Sequence, residues 1–144
     1  MKHQYTKILA VIFSASLLAA CVTTPRSTMI GALSQKYPNV IVIEVPDTNN
    51  PISSTLALAA IKSGVDSNTS KSIVDVLSKK PSNPVVVMGK NDSLSAATLE
   101  RALVSGKDKV SGSKVIFVGS ADYTDSLTKA ANASGVQLEV LVPH

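Results

Sequence analysis

The feature that most constrains the fold is a set of short apolar runs that alternate with segments of helical periodicity. The runs are continuously apolar and rich in β-branched residues, as in Val40–Val45 and Val85–Met88. Strands that are apolar on both faces are typical of a parallel sheet covered by helices. Alternation of strands with helices favours the same architecture. The sequence therefore predicts an α/β fold built on a parallel sheet.

The order of the expected elements defines the domain. The predicted strands are Val40–Val45, Val85–Met88, Lys114–Val118 and Val136–Val142. The predicted helices are a short one capped by Thr28 and ended before Pro38, then Ile52–Lys62 behind an Asn50-Pro51 start, Thr69–Lys79, Ser93–Val104 and Tyr123–Ala133. The last strand alternates polar and apolar residues, which places it at a sheet edge. We expect a small three-layer Rossmann-like or flavodoxin-like domain over residues 29–144, with about four mainly parallel strands.

Composition argues against a nucleic-acid partner. Aromatic residues make up 3% of the chain, so few side chains can stack on bases. The formal net charge is +4, and two of the positively charged residues, Lys2 and Lys7, lie at the start of the chain. The densest lysine groups, Lys79-Lys80 and Lys107/Lys109, are separated in the sequence and form no basic stripe. We therefore expect no nucleic acid among the partners.

The first twenty residues have the pattern of an export signal. Positive charge at Lys2 and Lys7 precedes an uncharged, mostly apolar run of 13 residues, Ile8–Ala20. A helix of that length is too short to cross a hydrocarbon core of about 30 Å, but it suits the apolar region of a secretory signal. The run ends at Cys21, which is the one cysteine of the chain.

Leu18-Ala19-Ala20-Cys21 resembles the lipobox of bacterial lipoproteins, an aliphatic residue and two small ones before cysteine. The resemblance covers only this N-terminal stretch, and every position matches. It implies lipidation of Cys21, cleavage before it, and anchoring of the chain to membrane lipid. Residues 1–20 would then be the signal peptide and 21–28 a lipidated tether. Val22 stands where inner-membrane lipoproteins of enteric bacteria carry Asp, which implies an outer-membrane address with the domain in the periplasm of a Gram-negative host.

Candidate binding residues follow the predicted strands. Ligands of open α/β sheets bind beyond the carboxyl ends of the strands, near a switch in strand order. Each of three such ends carries an aspartate close to a helix start, and two of the ends follow a glycine. The candidate ligand-binding residues are Asp47, Lys90, Asp92, Ser120 and Asp122. The aspartates could gather around a cation or a polyhydroxylated ligand, with Lys90 and the helix N-termini offered to an anion. The favoured interpretation is that the aspartates cap helices.

Missing residue types argue against the common enzyme classes. Beyond the signal, His144 is the one histidine, so catalytic triads lack a base and a histidine-built zinc site lacks ligands. The glycine-rich phosphate-binding motifs GxGxxG and GxxxxGK(S/T) are both absent from the sequence. We therefore expect no catalytic residues, no metal and no cofactor.

The function expected from the sequence is binding rather than catalysis. The leading hypothesis is a non-enzymatic binding or assembly module, anchored through Cys21, that contacts a protein of an envelope, secretion or pilus complex. The alternatives are a small-ligand or peptidoglycan-binding domain that uses the strand ends, and a hydrolase of unrecognised type. The sequence leaves the oligomeric state open.

Overall fold

The computed structural model describes residues 25–144, so the signal sequence and the lipobox lie outside the described residues. This range contains six α-helices, one short 3-10 helix (Ala121–Tyr123) and four strands, with at least one α-helix between successive strands. The strands are β1 (Ile41–Val45), β2 (Val85–Gly89), β3 (Lys114–Val118) and β4 (Gln137–Leu141). The helices are α1 (Arg26–Lys36), α2 (Pro51–Lys62), α3 (Asn68–Ser78), α4 (Asp92–Ser105), α5 (Lys107–Val110) and α6 (Thr124–Ser134).

The four strands form one parallel sheet in the order β1-β2-β3-β4. Registers such as Val45 opposite Gly89 and Val118 opposite Leu141 bring all carboxyl ends of the strands to one edge. The predicted α/β fold with four parallel strands is therefore confirmed, as is the edge position of the last strand. The strand order contains no reversal, however, so the sheet lacks the switch point at which we expected a ligand crevice.

The helices cover the two faces of the sheet unequally. Helices α2 to α6 cover one face, where their apolar side chains pack on alternate strand residues such as Val85, Val87 and Phe117. Within residues 25–144, only α1 covers the other face, where Leu33 packs on Val86, Ile116 and Val118. The expected three layers are thus present, with a single helix as one of them. The central strand β2 is buried on both faces from Val85 to Val87, as its apolar run predicts.

Several local predictions differ from the structure. Helix α1 begins at Arg26 behind Pro25, so the prediction that Thr28 caps it is wrong, and three residues assigned to the tether are helical. The apolar run of β1 was expected to be buried, but Ile41 and Val42 are 41% and 39% exposed because β1 forms the second sheet edge. Helix α5 has only four residues and was not predicted.

No helix within residues 25–144 is both long enough and apolar enough to cross a lipid bilayer.

Candidate functional site

The edge of the sheet formed by the carboxyl ends of the strands, called the rim below, contains all five predicted ligand-binding residues. Asp47 follows β1, Lys90 and Asp92 follow β2, and Ser120 and Asp122 follow β3. The structure does not bring them together as one site. Among residues 25–144, no three acidic, histidine or cysteine side chains are grouped as metal ligands would be.

Asp92 is the central residue of the rim, and its role is to join three elements. One carboxylate oxygen pairs with the guanidinium group of Arg26, which also donates to the backbone carbonyl of Gly89. The other carboxylate oxygen accepts the backbone N–H of Ser120 at 3.0 Å. Asp92 and Arg26 are about a quarter exposed. The pair therefore fixes the start of α1 against the ends of β2 and β3, and both Asp92 oxygens are occupied.

The helices at the rim are capped by residues next to the aspartates. Asn50 accepts the backbone N–H of Ile52 at 3.0 Å, and Asn91 accepts that of Leu94 at 3.1 Å. After β3, Ser120 accepts the backbone N–H of Asp122 at 3.2 Å and caps the short 3-10 helix Ala121–Tyr123, whereas α6 itself has no side-chain cap. The prediction that Asp47, Asp92 and Asp122 act as caps is therefore wrong. Asparagine and serine cap as well as aspartate does, and they occupy the correct position.

Asp47 lies in a cleft between the starts of α2 and α4. Its carboxylate accepts the hydroxyl of Ser54 at 2.7 Å, and the Ser54 hydroxyl lies 2.9 Å from that of Thr48. The cleft has a volume of about 390 Å³ and is open to solvent. Its lining residues are Asp47, Asn49, Asn50, Pro51, Ser54, Thr55, Leu58, Asn91 and Ser93. Of the five predicted residues, only Asp47 lines this cleft, while Lys90 and Asp122 are exposed beside it.

Two glycines allow the strand ends to pack this closely. A Cβ atom on Gly89 would lie 2.8 Å from the backbone oxygen of Val45 and would collide with the hydroxyl of Ser95. On Gly119, a Cβ atom would lie 2.7 Å from the buried ring of Phe117 and 3.2 Å from Asp92. Glycine at these two positions therefore leaves the space that the neighbouring strand end and the Phe117 ring occupy.

A second candidate site lies at the opposite edge of the sheet, where the strands begin. The lysines of α3, α5 and the turn after α3 meet there, because α3 packs along α5 and Val74 lies against Gly106. We call this surface the lysine end and define it by Lys71, Lys79, Lys80, Lys107 and Lys109, all exposed. A shallow recess of about 330 Å³, lined by residues that include Lys71 and Lys109, connects the two helices.

The carboxylates near the lysine end only partly neutralise it. Asp75 pairs with Lys79 at 3.0 Å, but both side chains are about two-thirds exposed, so the pair is weak. Asp66 pairs with Arg101 at 2.6 Å. This hydrogen bond is the main cause that lowers the pKa of Asp66, and desolvation opposes it. Asp66 also interacts with Lys71, and exposed Asp108 stands between Lys107 and Lys109, so these carboxylates reduce the positive charge of the five lysines without cancelling it.

Sequence reasoning missed the lysine end because it compared lysines by their spacing along the chain. In a parallel sheet, every connecting segment returns to the edge where the next strand begins. Lys79-Lys80 precede β2, and Lys107/Lys109 precede β3, so the topology alone brings them to the same edge. Cations are also favoured there because helix carboxyl ends carry partial negative charge.

Comparisons of the chain with protein-family models, with curated proteins and with solved structures give no match.

Proposed function

We propose that this protein is a non-enzymatic binding or assembly module of the bacterial envelope, anchored to the outer membrane through acylated Cys21. Its partner is a protein of an envelope, secretion or pilus complex with an acidic surface. The observation that carries the proposal is the lysine end, where five exposed lysines on α3, the turn after it and α5 outnumber the nearby carboxylates Asp66, Asp75 and Asp108.

The arrangement of these lysines suits recognition of a protein. They extend over α3 and the neighbouring α5, so an acidic partner meets several positive charges at once. Opposed charges on two surfaces accelerate association and disfavour wrong partners. The lysine end also lies at the sheet edge opposite Arg26, where the described chain begins. Anchoring through the N-terminal segment therefore leaves this surface accessible.

Charge reversal at the lysine end tests this proposal. A photo-crosslinking amino acid at Lys109 should capture one discrete partner in living cells, whereas the same residue at exposed Lys129 on α6 should not. The double variant Lys71→Glu, Lys107→Glu should lower the yield of that adduct at least about tenfold, because it replaces attraction by repulsion.

The matched control for this experiment is Lys129→Glu combined with Lys90→Glu, which makes the same change in net charge away from the lysine end. This control should leave the adduct unchanged. Salt of about 1 M, at which the Debye length is only about 3 Å, should weaken binding of the purified pair. Equal adduct yields in the two double variants would reject the lysine end as the binding surface.

A second candidate function is supported by the rim cleft. Its lining combines the Asp47 carboxylate with asparagine and serine side chains from the starts of two helices. Such polar groups match the hydroxyl and amide groups of a peptidoglycan fragment. In this alternative, the module binds a small polyhydroxylated ligand between α2 and α4.

Asp47→Asn distinguishes this alternative, because the amide oxygen can still accept the Ser54 hydroxyl while the charge is lost. If the cleft binds glycan, a soluble disaccharide-peptide fragment of peptidoglycan should raise the melting temperature of the wild-type protein. The shift should be largely lost in Asp47→Asn and retained in Asp125→Asn, an exposed control on α6. Absence of a shift in the wild-type protein would dismiss the cleft as a peptidoglycan site.

A further inference from the structure

The described chain begins at a fixed point of the rim. Arg26 is held by Asp92 and by the carbonyl of Gly89. One turn later, Met29, Ile30 and Leu33 pack α1 onto the sheet. The first residue of α1 is therefore fixed relative to the domain.

The lipidated residue of the proposed function lies only five residues before this fixed point. Five residues span at most about 18 Å when fully extended. A domain of about 120 residues is roughly 35 Å across, given its expected radius of gyration. The chain from Cys21 to Arg26 can thus bring the rim, or a side next to it, against the membrane. That reach is about half the width of the domain, so the tether favours the rim over the lysine end as the side that faces the membrane.

The rim carries an apolar ridge on its outer side. Helix α2 begins there, and its side chains Ile52 and Leu56 are 73% and 66% exposed. They are one helical turn apart, and with Pro51 and Thr55 they line a shallow, mainly apolar recess. The opposite side of α2 already packs into the core through Ala57, Leu58 and Ile61. The outer side is thus apolar and uncovered within residues 25–144.

Charge near the ridge is mixed rather than basic. Asp47 contacts α2 through Ser54, Arg26 and Asp92 pair with each other, and Lys90 and Asp122 at the following strand ends are opposite in sign. Attraction to anionic headgroups therefore does not explain the exposed apolar side chains. The exposed apolar side chains are instead explained by burial at the boundary between headgroups and acyl chains, where interfacial helices place their apolar side chains.

We infer that the domain docks on the phospholipid surface through the apolar ridge Pro51, Ile52 and Leu56, with its rim toward the membrane and its lysine end pointing away. The inference rests on the proposed anchoring at Cys21, and it adds an orientation to that anchor. Docking would present the lysine end to a partner at a fixed height above the bilayer.

An environment-sensitive fluorophore measures this contact. The full acylated chain is labelled with a nitrobenzoxadiazole dye at Ile52→Cys and reconstituted in phosphatidylethanolamine–phosphatidylglycerol vesicles. The matched control is Val104→Cys, because Val104 is also an exposed apolar residue, at 55%, but lies near the other end of α4. Dye at position 52 should shift to the blue and lose most of its emission when spin-labelled lipid is added. Dye at position 104 should do neither.

Flotation of the same samples separates the two proposals. Both labelled chains should float with the vesicles, which reports anchoring alone. Failure of both to float would reject the anchoring at Cys21 and the docking with it. Flotation with equal dye spectra at positions 52 and 104 would overturn the docking and leave the anchoring intact. Salt of about 1 M should not change the result, because the contact is apolar.

Discussion

Cys21→Ala is expected to abolish fatty-acid labelling of the protein and to leave a precursor that migrates more slowly on a gel. The physical reason is that Cys21 is the one cysteine of the chain, so no other thiol can replace it as the acyl-transfer site. Metabolic labelling with a radioactive fatty acid, followed by electrophoresis, measures both effects. Thr23→Ala, two residues further along, is the matched control and should be labelled and processed normally.

A chain that is exported and cleaved but carries no acyl chains should be released from the membrane. A chain that begins at Thr23 behind a conventional cleavable signal should appear in the soluble periplasmic fraction. Each buried CH2 group contributes about 0.8 kcal/mol to membrane binding, so loss of all acyl chains leaves only the ridge on α2, which is insufficient for stable anchoring. Fatty-acid label that persists in Cys21→Ala would contradict the lipoprotein hypothesis.

The sheet could be predicted from the sequence because its strands carry a strong local signal. Val85–Val87 and Val115–Val118 are apolar runs that only a sheet covered on both faces can bury, and the structure buries them all. The exposure of Ile41 and Val42 could not be predicted in this way, since an edge strand and a central strand differ only in whether another strand lies on each side. Helix α5, four residues long, offers no periodicity from which a helix could be predicted.

The candidate sites show a similar division. The sequence correctly places all five rim residues at strand ends, but the contact between Arg26 and Asp92 joins residues 66 positions apart and has no local signature. The misassigned caps have a different origin, because Asn50, Asn91 and Ser120 compete with the aspartates and only backbone geometry decides among them. The lysine end was predictable in principle from topology, once parallel strands are assumed.

These observations describe a domain with two chemically distinct ends. The rim carries the fixed entry of the chain and the apolar ridge, and the other edge carries the exposed lysines. Such a division follows from parallel topology, since every strand ends at the rim and every connection returns to the other edge before the next strand begins. If the rim contacts the membrane as proposed, a fixed orientation of the lysine end relative to the bilayer requires a rigid rim. That rigidity depends on the close approach of the strand ends at Gly89.

Replacement of Gly89 by alanine should be strongly destabilising, whereas replacement of Gly31 by alanine should stabilise the protein. A Cβ atom at position 89 would lie 2.8 Å from the Val45 carbonyl oxygen, so β1 and β2 would have to separate at the rim. Overpacking of this kind costs about 1–3 kcal/mol of the free energy of unfolding. At position 31, within α1, a Cβ atom would meet nothing within 4 Å. There the lower entropy of the unfolded chain should add about 0.4–1 kcal/mol.

Urea titration of the wild-type protein and both variants, followed by circular dichroism, measures the two changes. We expect the midpoint to fall for Gly89→Ala and to rise for Gly31→Ala, with similar slopes for all three proteins. The same substitution is thus expected to change the free energy of unfolding in opposite directions at the two glycines. A general effect of an added methyl group could not explain both results.

Because the Gly89 carbonyl accepts a hydrogen bond from Arg26, Gly89→Ala should also loosen the start of α1. Hydrogen exchange should detect this as faster exchange of the first hydrogen-bonded amides of α1, beyond the increase that the lower global stability produces in the amides of β3. A midpoint for Gly89→Ala at or above that of the wild-type protein would mean that the rim is not packed as the structure shows.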